Sequence, residues 1–169
     1  GSPPTRGSYC TRGTTRDPYA RYSERGPDYL YNMERLCAKF RTAATLVPPP
    51  VVRKAEAETR LGVIYFGSTS PAMQEALEVL AERGIHLDAM RLRAFPFSSS
   101  VAEFIARHDR VFVVEQNRDA QMRSLLVNEL EVDPARLVKV LHYDGTPITA
   151  RFITGAILAH AQPQPEDAA

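Results

Sequence analysis

Glu115, Asn117 and Gln121 lie within seven positions of one another, directly after the apolar run Val111-Phe112-Val113-Val114. An acid followed by amides at such a break can serve as a base, a ligand or an acceptor at an interface. A second polar corner, Gly67-Ser68-Thr69-Ser70, follows the apolar run Leu61-Gly62-Val63-Ile64-Tyr65-Phe66. Free N–H groups at a strand-to-helix turn favour an anion, although one glycine in place of GxGxxG is a weak dinucleotide signal. Asp88 stands 21 positions after Gly67, near the spacing of a ribose-binding acid, with Arg91 and Arg93 beside it. One reading is therefore a freestanding nucleotide-binding α/β module; the other is that helix capping alone explains the loop. In the N-terminal stretch, the guanidinium and hydroxyl groups around Arg12, Gly13 and Thr14 can meet an anion or a neighbouring carboxylate. The same segment also suits an ordinary linker.

No complete catalytic set accompanies these corners. His86, His108, His142 and His160 are dispersed and border predicted turns, which is the pattern of surface or capping residues. There is no GxSxG and no phosphate loop of the GxxxxGK type. Cys10 and Cys37 are 27 positions apart without a Cys/His cluster. That spacing offers no local metal site and points to a reduced, cytoplasmic chain. No catalytic residue and no metal ligand is assigned.

The 169 residues can hold one domain with a sizeable core. A formal charge of +1 argues against a nucleic-acid or membrane role. No apolar run approaches the roughly 20 residues that cross a bilayer. The charge is unevenly distributed: residues 1–60 carry 11 Lys/Arg against 6 Asp/Glu, and residues 61–169 carry 10 against 14. The start, Gly1-Ser2-Pro3-Pro4, resembles neither a signal peptide nor an initiator methionine, so the chain is read as a fragment of something longer.

The elements that must position the two corners follow from periodicity. Residues 1–26, rich in Gly, Pro, Ser, Thr and Arg, form an extended arm. Residues 27–60 form a helix and linker, with Leu30, Met33, Leu36, Cys37, Phe40 and Ala44 as an apolar stripe and Pro48-Pro49-Pro50 as the stop. Residues 61–161 alternate strand and helix. The strands are 61–66, 85–92, the run around 111–114, and 137–141. Ser70 caps the first helix, Ser100 and Glu103 make a capping box for the second, and Thr146-Pro147 caps the last. Its core face is Ile148, Phe152, Ile153, Ala156 and Ile157. The tail, 162–169, is polar. The fold class is a three-layer α/β/α domain, α/β with a mostly parallel sheet.

Gly67-Ser68-Thr69-Ser70, then Arg91-Leu92-Arg93-Ala94-Phe95-Pro96-Phe97, then Val113-Val114-Glu115-Gln116-Asn117-Arg118-Asp119-Ala120-Gln121 resemble the C-terminal part of the α subunit of 2-oxoacid:ferredoxin oxidoreductases, most closely the 2-oxoglutarate type. Thr11-Arg12-Gly13-Thr14 resembles the Arg-Gly-Thr segment before that domain; Arg16 stands where a histidine is common. The resemblance implies a transketolase C-terminal-like sheet of about five strands, with Val51-Val52-Arg53 as a short antiparallel first strand. It further implies a cytoplasmic parent complex that decarboxylates a 2-oxoacid on thiamine diphosphate with magnesium. Acyl passes to coenzyme A, and electrons pass through an iron–sulfur cluster to ferredoxin. The β subunit and the rest of the α subunit would be the partners. In that setting this chain binds no cofactor itself, is inactive alone, and braces the assembly through Glu115, Asn117, Gln121, Arg12, Gly13 and Thr14.

Overall fold

The computed structural model describes residues 13–161. The chain separates into two compact units, Gly1–Leu46 and Val47–Ala169.

In the first unit, the stretch expected to be featureless arm contains a small hairpin. β1 (Thr15–Arg16) pairs antiparallel with β2 (Tyr22–Ser23), and α1 (Gly26–Leu46) follows. Asp17 closes the hairpin, its carboxylate accepting from the N–H groups of Tyr19 and Arg21. Asn32 of α1 donates its amide to Thr15 Oγ1 and to the Arg16 carbonyl, both at 2.7 Å. That pins the hairpin to the helix. The expected apolar stripe is present on α1 but not buried: no residue of the helix is, and Leu30 and Phe40 are 58% and 56% exposed.

In the second unit, β3 (Val51–Arg53) leads to the alternating core. β4 (Leu61–Phe66), α2 (Ser70–Glu82), β5 (Asp88–Leu92), α3 (Ser99–Arg107), β6 (Arg110–Glu115), α4 (Gln121–Leu130), β7 (Leu137–Leu141) and α5 (Ala150–Ala161) follow in order. The sheet order is β3-β5-β4-β6-β7. The last four strands are parallel and β3 is antiparallel, as the resemblance implied. Val63, Tyr65, Phe112 and Val114 pack against α2 and α5, while Ile64, Met90, Val111 and Val113 pack against α3 and α4. Adjacent strand positions point to opposite faces, so the unbroken apolar runs of β4 and β6 reflect helices on both sides. Gly62 of β4 lies under a crowded layer. A β carbon there would meet Phe104 at 3.0 Å and His108 at 3.1 Å, both buried.

The helix starts differ from the sequence expectations. Gly67–Thr69 wind one 3₁₀ turn that runs straight into α2, and Ser70 is already helical (φ −55°, ψ −47°). It therefore cannot cap. The Ser100–Glu103 box is not formed, because α3 begins at Ser99, behind extended Ser98. Ser98 Oγ and Ser100 Oγ bond each other at 2.8 Å instead. α5 begins three residues after Pro147, with Thr149 Oγ1 accepting from Phe152 N at 3.2 Å. Thr146 is engaged with Asp144, and Phe152 is 36% exposed rather than core.

Candidate functional site

Parallel sheets bind ligands and partners beyond the carboxyl ends of their strands, where neighbouring crossovers part to opposite sides. Here that point lies between β4 and β6, since β5 lies on one side of this pair and β7 on the other. The two loops that leave it are Gly67–Ser70 and 116–120, and they touch. The Gln116 side-chain amide donates to Ser68 Oγ at 3.1 Å and to Thr69 Oγ1 at 3.2 Å. Gln116, exposed and bridging, was not singled out from sequence; its only signal was its place between the two polar corners. Ser68 is exposed, Thr69 is 2% exposed, and Gly67 has φ +59°.

The Glu115 corner is built inward. Glu115 is wholly buried. Its Oε2 accepts from Asn117 Nδ2 at 2.8 Å and Met122 N at 2.7 Å, and its Oε1 accepts from Arg123 N at 2.9 Å. Two of these donors are first-turn N–H groups of α4, which lack partners inside the helix and favour a negative charge. Asn117 Oδ1 accepts in turn from Asp119 N at 3.1 Å and Gln121 N at 3.2 Å. Ala120, buried and left-handed at φ 51°, lets the chain double back into the helix. The carboxylate is thus spent on its own fold. What the corner offers outward is the exposed Gln121 side chain, with Gln116, Arg118 and Asp119 beside it.

Next along the edge, His142 follows β7, its N–H donating to the Glu115 carbonyl at 2.9 Å. Its ring is buried against Phe152, centroids 4.7 Å apart, with Nε2 3.4 Å from Asp144 Oδ1. The Thr146 N–H and hydroxyl both donate to Asp144 and hold its carboxyl below the usual carboxylate range.

Asp88 lies elsewhere. It opens β5 at the opposite edge of the sheet from Gly67–Ser70, in register with Gly62. Oδ1 accepts from Ala55 N at 2.9 Å, and Oδ2 lies 3.2 Å from His108 Nε2. A ribose-binding acid belongs at the carboxyl end, so the nucleotide reading loses that residue. His108, expected at the surface, is 2% exposed and bonds the Phe104 carbonyl through Nδ1 at 2.7 Å. His142 is likewise buried. In the first unit Gly13 (φ +102°) lies so close under the Tyr22 ring that no β carbon fits, and Thr14 is exposed. Arg12 lies outside the described residues. Among the described residues no three His, Cys, Asp or Glu side chains gather as metal ligands, and Cys37 is an exposed free thiol.

No family model matches the chain. It is 28% identical over 133 residues to 2-oxoacid:ferredoxin oxidoreductase 2, subunit alpha, from Aeropyrum pernix, across 76% of this chain and 20% of that protein. The chain is similar to a 2-oxoacid:ferredoxin oxidoreductase α subunit. It spans about a fifth of the length of that curated relative. Among solved structures, 2-oxoglutarate:ferredoxin oxidoreductase from Magnetococcus marinus, with 2-oxoglutarate, coenzyme A and succinyl-CoA bound, superposes with a TM-score of 0.78 at 19% identity. The superposition covers 94% of this chain and 27% of that one. An inactive beta4 tetramer of a split-gene transketolase superposes with a TM-score of 0.53 at 22% identity, over 67% of this chain and 42% of its own. The fold is accordingly the transketolase C-terminal-like α/β/α sandwich. No described helix is long and apolar enough to cross a membrane.

Proposed function

We propose that the chain is the C-terminal part of the α subunit of a cytoplasmic 2-oxoacid:ferredoxin oxidoreductase, of the 2-oxoglutarate type. In that complex thiamine diphosphate, magnesium, coenzyme A and an iron–sulfur cluster supply the chemistry, away from this chain. This domain braces the assembly against the β subunit and the rest of the α subunit, and ferredoxin meets the complex as a whole. The observation that carries the assembly role is the inward Glu115 network. It ties up the buried carboxylate of the carboxyl edge in rigidifying that edge, and leaves Gln121, with Gln116, Arg118 and Asp119 beside it, exposed to the outside. A stiff, amide-bearing edge suits a pre-organised protein contact, which loses little side-chain entropy on binding. Asn117 acts by positioning Gln121. Gly13 and Thr14, with Arg12, are proposed as a second contact.

A thermal-shift panel on the isolated chain with thiamine diphosphate, coenzyme A, NAD and NADP tests this reading. A ligand at 100 times its dissociation constant stabilises by roughly 2.7 kcal/mol. No shift with any of the four is expected. Stabilisation by NAD or NADP would favour the nucleotide module instead, and stabilisation by coenzyme A would place part of an acyl-acceptor site here.

A further inference from the structure

We propose that α1 pairs antiparallel with α1 of a second copy of this chain, burying the apolar stripe that the chain itself leaves exposed. The inference stands apart from the oxidoreductase reading, since α1 belongs to the first unit and none of the carboxyl-edge residues takes part. Leu30, Met33, Cys37, Phe40 and Ala44 follow one another at alternating steps of three and four, the spacing of a helix-to-helix seam. No residue of α1 is buried, and Cys37 is a free, exposed thiol. Asn32, which pins the hairpin, lies off this stripe and leaves it open. Glu34 and Arg41 line one flank of the stripe, and Leu36 and Ala43 line the other.

The two charged residues decide the occupant. Neither has an opposite charge three or four positions away on α1, the reach of an ion pair within a helix. Among the described residues neither makes a side-chain hydrogen bond or ion pair. In an antiparallel pair each flank meets its own copy, so Glu34 faces Arg41 of the second copy and Arg41 faces its Glu34. Both pairs form at one register, and that register sets Met33 against Ala44 and Cys37 against Phe40. Each layer then joins a large side chain to a small one, which is how a packed seam fills without voids. Leu36 meets Ala43 on the apolar flank. A parallel pair sets the charged flank on the apolar one and stacks Phe40 on Phe40, so it matches neither. One stretch of sequence thus complements itself in charge and in volume about a two-fold axis, the mark of an isologous contact.

Sedimentation of the full chain tests this across concentrations up to about 1 mM, where even a weak specific contact is populated. The chain should dimerise. Glu34→Arg alone and Arg41→Glu alone should each weaken the dimer several-fold, since each sets like charges against one another on the flank. An equimolar mixture of those two variants should associate at least as well as the parent, because every charge then faces its opposite. Phe40→Glu should give a monomer whose melting temperature matches the parent's, since Phe40 is exposed in its own chain. A parent that stays monomeric overturns the proposal. So does a dimer indifferent to the single charge reversals, or a mixture that associates no better than its components. Capture of the remaining parts of the α subunit by a monomeric parent, lost in Phe40→Glu, would assign the stripe to them and overturns it too.

Discussion

Asn117 donates its side-chain amide to Glu115 over 2.8 Å, and its own carbonyl oxygen accepts the Gln121 N–H over 3.2 Å. The residues that stand out in the sequence as one polar corner are therefore one closed network, anchored on a buried carboxylate. That network joins the end of β6 to the start of α4 and leaves Gln121 pointing outward.

Glu115→Gln should cost about 2 kcal/mol. The new NH₂ group must face one of the donors now bound by the carboxylate, leaving a buried polar group unsatisfied. A drop of roughly 4–8 °C in melting temperature follows for a chain of this size, with faster hydrogen exchange at the Met122 and Arg123 amides. Unchanged exchange at both amides would show that the carboxylate does not cap α4.

Gly62→Ala should destabilise by about 1–3 kcal/mol. The added methyl is aimed at Phe104 and His108, two buried rings tilted against each other with centroids 4.4 Å apart. Denaturant unfolding measures the loss, and a variant as stable as the parent would mean that α3 can shift away from the sheet.

Asp88→Ala should cost about 1–3 kcal/mol through the lost bonds to Ala55 and His108. It should leave any response of the chain to NAD or NADP untouched. A selective loss of nucleotide response would restore the role that its spacing from Gly67 suggested.

The pattern of elements was legible because period-two and period-3.6 signals record burial, and burial here is regular. Helix starts were less so. Ser70 has the right type for a cap but sits inside the helix, because buried Thr69 takes the Gln116 amide and the chain tightens into a 3₁₀ turn before it. The inward turn of Glu115 depends on donors seven and eight positions later, which no local pattern reports. His108 and His142 looked superficial because they border turns. Their burial comes from Phe104 and Phe152 packing against them, contacts set by helix placement. The exposed stripe of α1 shows the converse: periodicity marks which face is apolar without saying that anything covers it within this chain.

Two exposed carboxylates should titrate below the ordinary value of 3.8 for different reasons. Asp109 is lowered first by its bond to Arg60, 2.6 Å away, and Asp144 by the Thr146 backbone N–H and then its hydroxyl. Each folded value lies below the unfolded one, so each contribution to stability is full above the unfolded value and is lost as pH falls through the folded one. NMR titration in low and high salt separates them. Salt screens an exposed ion pair, so the depression at Asp109 should shrink while that at Asp144 persists. Equal salt sensitivity would contradict the assignment of causes.

The most direct measurement of the central claim is reconstitution with the parent's remaining parts: the rest of the α subunit and the β subunit, co-purified with this chain and then with its Gln121→Ala variant. The account predicts that the intact chain assembles and supports 2-oxoglutarate- and coenzyme-A-dependent reduction of ferredoxin. It also predicts that Gln121→Ala weakens association several-fold without altering the melting temperature of the isolated domain. Assembly and turnover that proceed equally well without this chain would contradict it.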